Sequence, residues 1–209
     1  MAAMRTARTA RTAPADKYEE RRKQLAESAL RTLGELGYAR SSLREIATNS
    51  EFSHGVVHYY FADKLELIIY CVRYYKAQCV TRYDEVIASS ETPDALVEAF
   101  AAKLVETIVD EAPMHRLWYD LRTQSMFEEG LREAVLMIDQ TLEDMIWRVV
   151  ERYATLSGCS PTTTPPAAYG LLDGVFQQAL LGYLTGRASA LENLVAQVRA
   201  FLPFLLSRA

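Results

Sequence analysis

Hydrophobic residues recur along this chain at helical spacing, and no run alternates with the period of a strand. From about residue 16 to 36, Leu25, Ala29, Leu33 and Leu36 form an apolar stripe at steps of four, four and three, and Gly37 is placed to stop that helix. Ser42 followed by Glu45 is a capping box, which predicts a second helix from Leu43 that buries Leu43, Ile46 and Ala47. Ser53 caps a third short helix running from His54 to Tyr60. The pattern then predicts one long helix over 63 to about 89, with Leu65, Ile69, Val72 and Cys79 inward and Thr92-Pro93 closing it. Further helices are expected at about 94–110, 113–127, 130–156, 165–186 and 189–207, separated by Pro113, Gly130, the loop SGCSPTTTPP and Gly186. The expected fold class is all-α, with about nine helices.

Three of these helices depart from simple core patterning. The third carries His54, His58, Tyr59 and Tyr60, with only Val56, Val57 and Phe61 as aliphatic or plain aromatic companions, so it is not simply core. The segment AYGLLDGVFQQALLGYLTG is apolar over most of its circumference, and the last helix adds Leu191, Leu194, Val195, Val198, Phe201, Leu202 and Leu205, with Pro203 expected to bend it. A terminal pair this hydrophobic needs more than one apolar surface, and a partner chain is the simplest second one.

Composition narrows the class. The chain has 209 residues, half of them hydrophobic, enough for one large domain or two small ones. No apolar run reaches about 18 residues, so no membrane span is expected, and the start MAAMRTARTARTAP lacks the apolar stretch of a secretory signal. Cytoplasmic residence is the expectation. Cys71, Cys79 and Cys159 are odd in number, and the first two stand about 12 Å apart along one helix, too far for a disulfide. The chain has no paired CxxC, HExxH, P-loop or GxGxxG motif, and no cofactor is expected. Its net charge of −4 divides unevenly, since residues 1–62 hold 10 Lys/Arg against 7 Asp/Glu, a balance of +3, leaving −7 for the rest. A basic head meeting phosphate and an acidic body in solvent would show this asymmetry. The threefold RTA repeat of residues 5–13 reads as part of a disordered basic arm over 1–15, in which Arg5, Arg8 and Arg11 are candidates for a minor groove.

Residues 20–68 resemble the TetR family of transcriptional regulators, through a supporting helix, a helix-turn-helix and the stretch IATNSEFSHGVVHYYFADKLEL. The rest is similar to members with a BetI-like C-terminal domain, through LWYDLRTQSMFEEGLREAV and LLDGVFQQALLGYLTG. The resemblance implies a DNA-binding head over 16–62 and a ligand-binding and dimerisation body over 63–209. Two departures stand out. Ser50-Glu51 replaces the family's usual Ala-Gly, so any left-handed backbone angle there would fall on a residue with a Cβ and carry strain. Val57-His58 replaces the usual Leu-Tyr of the recognition helix.

The implied mechanism assigns roles. His54, Val56, His58 and Tyr59 are candidates for base edges or neighbouring sugars, and Ser42, Arg44, Tyr60 and Lys64 for phosphates. Against this, His54 and His58 could form half a metal site, one of Tyr59 and Tyr60 should pack on the first helix, and Lys64 and Arg44 could be plain surface charges. Candidate lining for a small-molecule effector is Tyr75, Tyr83, Trp118, Tyr119, Gln124, Trp147, Tyr169, Asp173 and Gln177, with ordinary core packing as the competing reading. Asp173 in LLDGVFQQALL needs a partner, of which Arg122 is one candidate. Gly170 and Gly174 with Leu172, Phe176, Leu180, Leu194, Val198 and Leu202 are candidates for a four-helix homodimer bundle, against burial within one chain. The sequence therefore predicts a homodimeric, effector-released regulator of a near-palindromic duplex, most simply a repressor. A helical carrier or enzyme using His54 and His58, or an interaction module without a nucleic-acid role, are the alternatives. The absence of an assembled acid-base set counts against the enzyme.

Overall fold

The computed structural model describes residues 14–208, so Arg5, Arg8 and Arg11 lie outside the described residues. Nine helices form nearly all of the described chain, packed on one continuous core that runs from Leu25 to Leu205. Helix α1 (Pro14–Arg40) begins with proline at its first turn and is broken near its end by Gly37, at φ 77°. Helices α2 (Leu43–Thr48) and α3 (His54–Tyr60) follow as expected, each opened by its serine cap. Ser42 accepts from the Glu45 amide at 3.1 Å, while the Glu45 carboxylate accepts from the Ser42 amide at 2.8 Å. Leu43, Ile46, Ala47 and Val57 turn inward against Leu25, Ala29 and Leu33 of α1, which makes the three helices one unit.

The turn between α2 and α3 carries no backbone strain, contrary to the expectation for Ser50-Glu51. No non-glycine among the described residues has positive φ. Ser50 instead folds its hydroxyl onto the Ala47 carbonyl at 3.1 Å and accepts from the Phe52 amide at 3.1 Å, so side-chain bonds close the turn that glycine would otherwise allow.

The single helix expected over 63–89 is two, α4 (Lys64–Thr81) and α5 (Asp84–Ser89). The chain turns at Arg82 and Tyr83 because Arg82 is drawn to Glu111, at 2.7 Å, while the Tyr83 ring enters the core against Phe100, at 5.5 Å. The inward face of α4 is Leu67, Ile68, Cys71, Val72, Tyr75, Lys76 and Cys79, rotated from the expected one, and Leu65 and Ile69 are only half-buried. The two helices expected on either side of Pro113 are two helical stretches meeting at a kink, numbered together as α6 (Pro93–Gln124). Proline denies one intrahelical hydrogen bond, and Glu111 takes up the bend with a non-helical backbone (φ −133°, ψ 25°). Its carboxylate is held by Arg82 and by the Tyr75 hydroxyl.

Helix α7 (Glu129–Ser157) ends on Gly158 in the left-handed region, and α8 (Pro165–Leu184) and α9 (Ala190–Phe204) complete the body. Gly186, at φ 74°, closes the segment after α8 as predicted. A Cβ on Gly182 would stand 2.8 Å from that of Ala190, so this glycine lets α8 and α9 approach within the chain. A short antiparallel ribbon, β1 (Cys159–Pro161) with β2 (Leu206–Arg208), ties the loop before α8 to the end of the chain. The helical pattern gave no sign of it, because three residues are too few to show a period of two.

Candidate nucleic-acid face and effector cavity

On α3 the side chains sort cleanly. Val57 is fully buried and Val56 half-buried, whereas His54, His58 and Tyr59 project to solvent, Tyr59 with 72% of its surface exposed. His54 and His58 stand edge to face with ring centroids 4.4 Å apart. Among the described residues no third ligand-type group is placed to make them a metal site. Tyr60 packs on Tyr18 of α1, with centroids 4.9 Å apart, and the exposed Tyr59 ring meets the same Tyr18 edge-on at 6.4 Å, so both tyrosines touch the first helix. Gly55 lies between the exposed histidines and a Cβ there would meet nothing within the protein. Glycine weakens a helix, and no internal packing accounts for it at this position.

Arg44 and the Ser42 cap are exposed on the same side of the head. Lys64 is not. Its ammonium donates to the Tyr38 carbonyl at 2.5 Å and lies 4.2 Å from the centre of the Tyr38 ring, and burial lowers its pKa. In this arrangement it holds the end of α1 onto α4.

The body encloses a cavity of about 70 Å³ between α4, α6, α7 and α8. Five of the nine residues expected to line it do so: Tyr83, Trp118, Tyr119, Tyr169 and Asp173. Tyr75 lies beside it, buried, with its hydroxyl committed to Glu111. Gln124 reaches back to Asp120, Trp147 is half-buried and donates to Glu151 at 2.9 Å, and Gln177 is exposed on the outer side of α8. From α7 the lining is Leu142, Met145 and Ile146, so Trp147 was misassigned by a single helical step of about 100°.

Three polar groups of the lining were not anticipated: Lys76, Cys79 and His115. Lys76 is 4% exposed and lies over Trp118, with its ammonium 5.0 Å from the ring centre. Burial lowers its pKa. His115 is 7% exposed, meets Phe176 at 4.9 Å between ring centroids, and is pushed down to about 3 by burial and then by Lys76, so it is neutral. Burial also raises the Cys79 thiol, which leaves it protonated and unreactive. A lysine in an otherwise apolar helix reads as a surface charge by default, which is why spacing did not reveal it.

Asp173 has the partner its position demanded. Its carboxylate accepts from Tyr119 at 2.9 Å and pairs with Arg122. Arg122 also reaches Asp139 at 3.3 Å, and the Tyr169 hydroxyl donates to Asp139 at 2.5 Å. Five side chains from α6, α7 and α8 thus form one closed network at the edge of the cavity.

The expected homodimer residues divide differently. Leu194, Val198 and Leu202 are 0–1% exposed, and Leu172 and Leu180 are 3–4% exposed, so these five are core within the chain and cannot form an intermolecular face. Phe176 lines the cavity. The outer side of α8 is instead Gly170, Gly174, Gln177, Leu181 and Leu184, at steps of four, three, four and three, with Leu181 64% and Leu184 44% exposed. Both glycines leave open space there. Periodicity located the stripe on α8 but not which side faced inward, because both sides are apolar.

Residues 25–71 match the model of the bacterial regulatory proteins of the tetR family. Over 115 residues the chain is 30% identical to the HTH-type transcriptional regulator BetI of Burkholderia thailandensis, an alignment covering 54% of this chain and 59% of that relative. The fold matches a TetR transcription regulator from Haloarcula marismortui with a TM-score of 0.73 at 17% identity, covering 90% of this chain and all of that one. It also matches a regulator from Saccharomonospora viridis, solved in complex with choline, with a TM-score of 0.72 at 16% identity, covering 91% and 100%.

Proposed function

From a chain that belongs to the TetR family of regulatory proteins, we propose a dimeric repressor that grips a near-palindromic duplex through α3 and lets go when a small molecule enters the body. The alignment spans 59% of the length of the BetI relative, so the operator, effector and sign of regulation are part of this proposal. The carrying observation is the exposed face of α3. His54, His58 and Tyr59 project from a helix whose opposite side is locked to α1, and Gly55 between them leaves room for a second surface to come close. Imidazoles donate to guanine N7 or O6 in the major groove, and Arg44 and the start of α2 meet phosphate. Head and body divide at about residue 62 in this reading.

A second copy of the chain covers the outer side of α8, with Leu181 and Leu184 as its apolar contacts and Gly170 and Gly174 allowing close approach. Two such heads would present their recognition helices to half-sites about 34–36 Å apart, or a multiple of that.

Helix α6 is the connection between sites. His115, Trp118 and Tyr119 line the cavity. On the other side of the same turns, Asp120 accepts the Tyr38 amide at 2.7 Å and Arg116 donates to the Gly34 carbonyl and to that of Glu35, at 3.1 Å. A ligand that moves this half of α6 about the bend at Glu111 and Pro113 therefore moves the head. Release requires only that the ligand bind the displaced arrangement better.

The test is selection of random duplex DNA by the purified protein, then titration of the enriched sequence at two salt concentrations. A near-palindrome is expected, bound more weakly at high salt, with His58→Ala and Tyr59→Ala each costing about 1–3 kcal/mol of affinity. Failure to enrich any sequence at low salt would overturn the proposal.

A further inference from the structure

We propose that the molecule recognised by the body cavity is a small carboxylic acid with an apolar body, bound as its anion against Lys76; this rests on reading that cavity as the effector site. Two ring nitrogens of the lining, Nε2 of His115 and Nε1 of Trp118, are buried and have no hydrogen-bond partner. Both residues are more than nine-tenths buried, as is Lys76. No ion pair joins Lys76 to a carboxylate among the described residues, and its ammonium rests against the rings of Trp118 and Tyr75, at 5.0 and 5.7 Å. The one carboxylate of the lining is Asp173, already bound to Tyr119 and Arg122.

The cavity thus offers a cation without a counter-ion and an indole N–H without an acceptor, beside a neutral imidazole whose other ring nitrogen is bonded to the Thr107 backbone, which leaves Nε2 as an acceptor. A carboxylate satisfies the ammonium and the indole. A neutral ligand leaves Lys76 uncompensated, and a buried, unpaired charge is costly. A cationic ligand meets Lys76 and finds no free carboxylate. A phosphate brings more charge than one ammonium balances. The remaining walls, Phe100, Leu104, Leu142, Met145 and Ile146, are hydrocarbon and set the body of the ligand. At about 70 Å³ the cavity is under half the roughly 150 Å³ that admits benzene, so a short aliphatic acid fits it as it stands. Larger acids require Met145 or Leu104 to swing aside. Burial holds the Lys76 pKa down, and an anion placed against it would restore the charged form.

The experiment is calorimetric titration of the full-length protein, without DNA, with propanoate, isobutanoate and benzoate. Each is paired with its primary amide, and a quaternary ammonium ion of similar size is run beside them. At least one acid is expected to bind tenfold or more tightly than its amide, with no binding of the ammonium, and Lys76→Met should abolish that preference. The acid-to-amide comparison on the unaltered chain needs no variant. Equal binding of acid and amide, preference for the ammonium, retention of the preference in Lys76→Met, or binding of none of the acids would each overturn the inference. Adding the bound acid to the DNA complex then separates the two claims. An acid that binds through Lys76 but leaves DNA affinity unchanged keeps the ligand assignment and rejects the effector switch.

Discussion

The face of α3 and the cavity beneath α6 differ in how far apart in the chain their residues lie. Every side chain on the exposed face of α3 comes from the seven residues His54–Tyr60, and the bonds that shape the helix are made within three or four positions. In the body, Lys76, His115, Asp139 and Asp173 come from four helices, and the network around Arg122 joins residues 17 to 54 positions apart. A site made locally loses function when altered but leaves the fold standing. A site made by long-range pairs is also part of what holds the helices together.

The largest expected effect follows from that difference. Arg122 is the one cation shared by Asp139 and Asp173, and its side chain is 31% exposed. Removing one partner of a fully buried ion pair costs about 3–5 kcal/mol, and partial exposure reduces this to roughly 2–3 kcal/mol for Arg122→Met. The matching change on the head, Arg44→Met, removes an exposed side chain and should alter stability by no more than about 0.5 kcal/mol. Urea unfolding of both variants checks the contrast, and equal losses would break it.

The same difference decides what could be read from the sequence. Ser42 with Glu45, Ser53 before His54, and Gly186 after α8 act on neighbours, so their structural roles were legible from spacing alone. Asp173 could be flagged as needing a partner, and Arg122 was among the candidates, but its second bond to Asp139 depends on how α6 and α7 cross. The break expected at Pro113 is present as a kink, with the non-helical backbone two residues earlier at Glu111. At the kink itself stands Glu111, whose carboxylate is fixed by Tyr75 of α4 and by Arg82 just beyond it, some thirty residues away, a pairing that spacing does not show. Leu194, Val198 and Leu202 were assigned to a partner chain when the partner was α9's own neighbours in the protomer, since hydrophobic period reveals burial and not whose surface provides it.

His115 sharpens the comparison through pH. Burial holds its folded-state pKa down at about 3, with Lys76 and Arg82 adding to that effect and Glu111 opposing it. The unfolded chain's histidine titrates near 6.5. Between these values the unfolded state takes up a proton that the folded state refuses, so the contribution is full above about 6.5 and is lost as pH falls toward 3. From pH 7 to pH 5 this amounts to about 2 kcal/mol. His115→Phe removes the titrating group, so its stability should fall less over that interval than that of the unaltered chain, by that difference. Parallel pH slopes for the two proteins would show that His115 is not held neutral in the fold.

The smallest effect on stability is expected where the consequence for function is specific. Ser42 serves its own helix, accepting from Glu45 at 3.1 Å while its amide is taken by the Glu45 carboxylate. Ser42→Ala removes the cap and should cost about 1 kcal/mol. Ser42→Asp keeps an oxygen in the capping position and a negative charge at the positive end of the helix, so stability should stay within about 0.5 kcal/mol of the original. If the start of α2 faces phosphate, that same charge repels the duplex. DNA affinity should then fall at least tenfold in the aspartate variant, and by less in the alanine variant despite its greater loss of stability. The two measurements must therefore rank the variants in opposite orders. If Ser42→Asp binds DNA like the original, Ser42 is a cap and nothing more.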